Sequence, residues 1–144
     1  MEIRKLSLDF LQKNIKGFIQ VVNEDSPYYW TEQQLILDLP CKWEYSFYVV
    51  EESEIIGYAI CSQKNEYIHL HHLMIKEKYQ SRGIGLSLIN MVMKRLKEKQ
   101  SNELKGLSLK VGPDNIRAFN FYKKHGFKVI GIEDDGDLFM LLEK

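Results

Sequence analysis

Gln80-Ser81-Arg82-Gly83-Ile84-Gly85 is the centre of the stretch that decides the fold, which runs from Leu70 to Leu96. Before it lies an apolar, strand-like run ending Leu73-Met74-Ile75. After it, Ile84, Leu88, Met91, Val92, Arg95 and Leu96 recur at helical spacing. The predicted order is strand, short polar turn, glycine-rich loop, helix. The first N–H groups of a helix have no intrahelical partner, and its aligned peptide dipoles make that end positive. A phosphate or other anion is at home there. Gly83 and Gly85 have no Cβ, so a ligand can approach the backbone closely. Arg82 adds a charge suited to phosphate oxygens.

The loop is not a P-loop, since Gly-x-x-x-x-Gly-Lys-Ser/Thr is missing around it. Nor does it complete the dinucleotide fingerprint, because Leu88 stands where the third glycine belongs. A nucleotide-binding oxidoreductase therefore fails at this point. Taken alone, the loop also fits a flexible connection ahead of a core helix. A second stretch, from Asn115 to Phe127, reads Asn-Ile-Arg-Ala-Phe-Asn-Phe-Tyr-Lys-Lys-His-Gly-Phe. Gln-x-x-Gly-x-Gly after an apolar strand, followed by Asn-x-x-Ala-x-x-Phe-Tyr-x-x-x-Gly-Phe, resembles the GNAT superfamily of acyl-CoA-dependent N-acyltransferases. The likeness covers Phe47 to the C-terminus in detail and the N-terminal third in general shape.

A chain of 144 residues suits a single domain, here 1–144, with a sizeable core. Formal net charge is zero, so bulk electrostatics give no reason to expect nucleic acid. No apolar run reaches membrane-spanning length, and no secretory leader pattern opens the chain. Cys41 and Cys61 lack zinc or redox spacing and read as thiols of a reducing compartment, with a disulfide as the lesser alternative. A cytoplasmic protein is the expectation.

In chain order, Glu2–Leu8 reads as a first strand. Phe10, Leu11, Asn14, Ile15, Phe18, Ile19 and Val22 then form one helical stripe, which ends before Pro27. Thr31-Glu32-Gln33-Gln34 has the capping-box form and opens a helix through Leu39, stopped by Pro40. Phe47–Glu51, Ile55–Cys61 and Tyr67–Ile75 make an antiparallel meander that delivers the chain to the glycine loop. Leu107–Val111 is a fifth strand. Asp114 is expected to cap the next helix, which Gly126 ends. Phe127–Ile132 and Leu138–Leu142 close as a hairpin around Asp134-Asp135-Gly136. The expected class is α/β (α+β). The resemblance implies a mixed, mostly antiparallel central sheet of about seven strands flanked by about four helices.

The resemblance also implies a reaction: transfer of an acetyl group from acetyl-CoA, as co-substrate, to a primary amine by direct attack. The diphosphate would rest on Gln80, Ser81, Arg82, Gly83, Ile84, Gly85 and Leu86. The pantetheine arm would lie as an added strand along Met74, Ile75 and Lys76. Asn115 fits a further cofactor contact or a helix cap. Tyr122, by resemblance, is the acid at the departing thiolate and also touches the cofactor; its other reading is a packed helix aromatic. Family members carry a base at the positions of Lys110 or His69, and here only His69 has acid–base chemistry near neutrality. His71 shares its strand face at period two, but no third ligand at motif spacing accompanies the pair, and no metal is expected. His72 stands beside them, and His125 suits a helix C-terminus. Glu24-Asp25 and Glu133-Asp134-Asp135 would border the acceptor cleft and draw a cationic amine, with Tyr28, Tyr29 and Trp30 as a stacking wall. The acceptor is a small-molecule or peptide amine, and the chain a monomer or homodimer. With Lys110 in the place of an acid, a catalytically silent acyl-CoA-binding module is the competing reading.

Overall fold

The computed structural model describes residues 1–99 and 103–144. Its centre is one sheet of seven strands: β1 Glu2–Lys5, β2 Phe47–Glu51, β3 Glu54–Lys64, β4 Tyr67–Ile75, β5 Gly106–Val111, β6 Lys128–Ile132 and β7 Leu138–Glu143, in the spatial order β1-β2-β3-β4-β5-β7-β6. Every neighbouring pair is antiparallel except β4 and β5. Six α-helices accompany it among the described residues: α1 Leu8–Lys13, α2 Ile15–Ile19, α3 Glu32–Ile36, α4 Lys42–Tyr45, α5 Ile84–Glu98 and α6 Ile116–Lys124.

The glycine-loop stretch folds as its pattern demands. Ile84, Leu88, Ile89, Val92, Met93 and Leu96 are buried along one side of α5. They join Phe47, Val49, Ile56, Ala59, Cys61, Ile68 and Leu70 from the strands to form the larger core, against which α6 also packs. The other sheet face carries a second core of Tyr48, Ile55, Tyr58 and Ile60 under Leu11, Phe18 and Leu35 of α1–α3. The sheet is thus sandwiched, and the long N-terminal stripe is real.

Six helices rather than about four arise because polar side chains interrupt the expected runs. The first strand stops at Lys5 instead of Leu8, because the Ser7 hydroxyl accepts the Phe10 N–H (3.1 Å) and caps α1. The single helix expected to run on to Val22 breaks at Asn14 (φ −123°) and ends at Ile19. There the Asn14 side-chain amide donates to the Phe10 carbonyl (2.9 Å), a local bond that competes with helix continuation. The capping box at Thr31–Gln34 forms as read, but α3 stops at Ile36 rather than Leu39. Buried Lys42 donates to the Leu35 and Leu37 carbonyls (2.5 and 2.6 Å), taking up that helix end. Desolvation lowers its ammonium to about 8. The short α4 had no sequence signal, and β3 runs on to Lys64, three residues beyond Cys61. Both cysteines are free thiols, Cys41 exposed and Cys61 buried.

Candidate active site

Two features of the sheet prepare a site. The parallel pairing of β4 with β5 covers only Tyr67–Gly106, Ile68–Leu107 and His69–Ser108, so the strands part beyond that point. Just past the fork, β3 residues Ile60 and Cys61 face His72 and Leu70, which leaves His71 as an extra residue in β4. Such a bulge bends and twists its strand. It also corrects strict period two: Ile68, Leu70, Leu73 and Ile75 reach the α5-side core, while Met74 packs on the opposite one.

The glycine loop sits at the outer end of β4. Gly83 is the N-cap of α5 in the left-handed region (φ 80°), and Ser81 shares that region (φ 64°). A Cβ built on Gly83 would meet nothing within 4 Å, so the backbone there is open to a ligand. The first helical bond runs from the Ser87 N–H to the Gly83 carbonyl (3.0 Å). The amides of Ile84, Gly85 and Leu86 thus find no acceptor among the described residues, and they mark the positive end of a helix of 15 residues. Such an end suits an anion. The Arg82 guanidinium lies over the Tyr79 ring (5.2 Å), and Lys78 does likewise. Arg117 of α6, which sequence reasoning passed over, brings its guanidinium to the Gln80 side-chain oxygen (3.5 Å). Its visible signal was its place inside the second motif.

The strand positions expected to hold the pantetheine arm are not equivalent. Lys76 has both backbone groups engaged: its N–H donates to the Ile56 carbonyl (2.7 Å), and its carbonyl accepts the Tyr79 N–H (2.8 Å). Its ammonium pairs with Glu54 at 2.6 Å. The Ile75 carbonyl accepts the Gln80 side-chain amide (3.0 Å) and keeps a second lone pair. In the antiparallel ladder the bonded pair Ile56–Lys76 alternates with the non-bonded pair Gly57–Ile75 and the bonded pair Tyr58–Met74. Ile75 is therefore the one of the three that turns its backbone groups to the open edge.

Helix α6 brings the second motif to the same place. A Cβ on Gly85 would lie 3.5 Å from the Phe121 ring, so the start of α5 rests on the residue beside Tyr122. Tyr122 packs edge-on against Phe121 and Phe127 (centroids 5.3 Å for each). Burial pushes its phenol up to about 12, with a smaller contribution from the Cys61 thiol. Asn115, not Asp114, caps α6, its side-chain oxygen accepting the Ala118 N–H (3.2 Å). Gly126 (φ 97°) ends the helix as expected, and the His125 ring lies edge-on to Phe121.

His69 and His72 are buried and His71 is half-buried. His69 Nδ1 is bonded to the Ser108 hydroxyl (2.9 Å), and His71 Nε2 to the Ser62 hydroxyl (2.6 Å). His72 uses both ring nitrogens, Nε2 on the Tyr28 carbonyl (2.7 Å) and Nδ1 on the Tyr58 hydroxyl (3.0 Å), and stacks on Trp30 at 4.3 Å. Desolvation dominates all three titrations. It lowers His69 to about 3, helped by His71, Lys64 and Lys110, and lowers His71 and His72 to about 4. The expectation that His69 titrates near neutrality is thereby corrected, because its ring is only 5% exposed. Lys110 faces Glu133 of the last hairpin at 3.7 Å, so one of the five expected acidic attractants already has a cationic partner. No group of three metal-ligating side chains occurs among the described residues, and none of their helices is long and apolar enough to cross a membrane.

Comparison with known proteins gives the class of this chain, an acetyl-CoA-dependent N-acetyltransferase. The chain belongs to the acetyltransferase (GNAT) family, whose sequence model matches residues 15–127. It is similar to the N-alpha-acetyltransferase of Sulfurisphaera tokodaii, at 29% identity over 143 residues, covering 90% of this chain and 81% of that enzyme. It also resembles the spermine/spermidine N(1)-acetyltransferase of Bacillus subtilis, at 26% identity, covering 64% of this chain and 65% of that enzyme. Among solved structures, Ard1 from Thermoplasma volcanium shares the fold with a TM-score of 0.79 at 21% identity, covering 99% of this chain and 96% of that one. PaiA N-acetyltransferase from Thermoplasma acidophilum, in complex with coenzyme A, matches with a TM-score of 0.76 at 22% identity, covering 99% and 98%.

Proposed function

We propose that this chain moves the acetyl group of acetyl-CoA to a primary amine by direct attack, with Tyr122 as the proton donor at sulfur. The observation that carries the reading is the juxtaposition of the three open α5 amides with Tyr122, through the contact of Gly85 with Phe121. The donor's diphosphate rests on the amides from Gly83 to Leu86, flanked by Gln80, Ser81, Arg82 and Arg117. Its arm follows β4 past the fork, where Ile75 turns its backbone groups away from β3.

The neutral amine nitrogen attacks the thioester carbon, the carbon–sulfur bond breaks, and the sulfur leaves with the electron pair. A phenol at about 12 is a weaker acid than a thiol at about 8.5, so complete transfer from Tyr122 to sulfur runs uphill. Tyr122 therefore acts by a hydrogen bond that strengthens as charge develops on sulfur. The proton lost by nitrogen restores the balance at the thiol or passes to water. His69 stands at the fork where that nitrogen must sit. With its Nδ1–H given to Ser108, its Nε2 holds a lone pair for the amine N–H, an orienting rather than a titrating role.

Thiol release from acetyl-CoA in the presence of an amine panel tests the reading. Amine-dependent release with an acetylated product is expected. Failure to bind coenzyme A, or binding without turnover of any amine, would replace the enzyme with the silent module.

A further inference from the structure

The two outer strands of the sheet are β1 and β6, and their edges are made differently. β1, Glu-Ile-Arg-Lys, is charged at all but one position, and Arg4 donates to the Glu2 carboxylate (2.8 Å). Charge on an edge strand keeps other strands from adding to it. β6, Lys-Val-Ile-Gly-Ile, is charged only at its first residue, and Val129, Ile130 and Ile132 are 44%, 48% and 74% exposed. Apart from Lys128, its protection is a register shift at Ile130, where the extra residue is itself apolar.

Backbone groups are on offer as well. The Glu133 N–H donates to the Asp137 carbonyl (2.8 Å). Bonded and non-bonded pairs alternate along an antiparallel ladder, so the next pair, Ile132–Leu138, is non-bonded. Ile132 thus turns its N–H and C=O to the open side. An edge with exposed apolar side chains and free backbone groups is a template for another strand.

Which strand it takes is written in the charges at its two ends. Lys123 and Lys124 stand before β6 and Lys128 opens it, while Asp134 and Asp135 follow it. All five are exposed, and none has an ion-pair partner among the described residues. A second copy laid parallel would set lysine beside lysine and aspartate beside aspartate. An antiparallel copy, turned about a two-fold axis through the middle of β6, sets the lysine end of each chain against the aspartate end of the other. The patch is then complementary to itself, which is the condition for a closed two-fold interface.

We propose that β6 is a self-association edge, through which two copies of this chain pair antiparallel into one sheet with seven strands from each. Self-association of this kind goes beyond the acetyltransferase reading and stands independently of it. A strand of five residues spans only about 17 Å, so the contact is short and the dimer reversible.

Sedimentation of the full chain over a wide range of concentration tests this. Monomer should give way to dimer and to nothing larger. Ile132→Lys, which places a charge on the most exposed apolar position of β6, should raise the dimer dissociation constant about tenfold or more. Lys128→Glu sets acid against acid at both ends of the pair and should raise it about three- to tenfold. Adding Asp134→Lys to Lys128→Glu reverses both ends together and should bring it back within about twofold of the unaltered chain. Hydrogen exchange at the Ile132 amide should slow as the dimer forms, with the β1 amides unchanged. That measurement needs no variant, so a substitution that misfolds does not shelter the proposal. A monomer at every concentration, or growth past the dimer, overturns it. So does a dimer that Ile132→Lys or Lys128→Glu leaves intact, one that the double reversal fails to restore, or one that protects β1 instead of Ile132.

Discussion

The proposed donor side and the proposed acceptor side of this site are built by opposite means. The donor cradle is backbone: one left-handed glycine, a helix start and amides with no acceptor among the described residues. The acceptor wall is side chain, with His69, His71, His72, Tyr28 and Trp30 each held by a specific ring or hydrogen-bond partner. A backbone cradle serves a ligand that never changes, because its donors are fixed by the fold. A side-chain wall can be rewritten residue by residue without disturbing the sheet.

The sharpest way to probe that division lies between the two sides. Tyr122→Phe should lower kcat by about a hundredfold, the lower range for a lost hydrogen bond to developing charge, with coenzyme A affinity unchanged. Single-turnover kinetics beside calorimetric titration would show this, and an unaltered kcat would reduce Tyr122 to packing. On the donor side, Gly83→Val meets no steric clash, yet it forces a branched side chain into φ 80° and covers open amides. A free loop that relaxes to shed roughly 1–2 kcal/mol of left-handed strain must be restored on binding, which predicts a five- to thirtyfold loss of coenzyme A affinity, with the acceptor KM little altered. Intact affinity would break the comparison at its donor end.

The acceptor side should announce itself through pH. His69, His71 and His72 have folded-state values of about 3 to 4, against an unfolded reference near 6.5. Between those limits the unfolded chain binds more protons than the folded one, so stability rises with pH. The contribution is complete above about pH 6.5 and is lost as pH falls toward 4. Denaturant titrations from pH 7.5 to 5 should show falling stability, while the three ring signals stay neutral by NMR. A flat stability profile would mean that the row is solvated.

The same contrast explains what the sequence could tell. The cradle was legible because a glycine pattern between an apolar run and a 3.6-residue stripe is written within a few residues. Tyr122 and Gly126 were legible for the same reason. The α1–α2 break was not, because Asn14 reads as one polar interruption of an apolar stripe, and only its bond to the Phe10 carbonyl turns it into a terminus. The burial of His69 and the grip of His72 on Tyr28 were hidden more deeply. They depend on strand partners and a loop brought together from distant parts of the chain. Three histidines within four positions gave no hint that the sheet would seal His69 and His72. Lys42 was hidden likewise, its ammonium being satisfied by carbonyls rather than by a neighbouring acid.

The surplus residue in β4 has a consequence of its own. Without His71, the order Ile68, His69, Leu70, His72, Leu73 would still alternate between the two cores, so its deletion leaves the apolar code readable. What would vanish is the local bend that a bulge puts into its strand. A β4 shortened by that one residue should pair with β5 past His69 and close the proposed coenzyme site, which loss of coenzyme A binding in a His71 deletion would show.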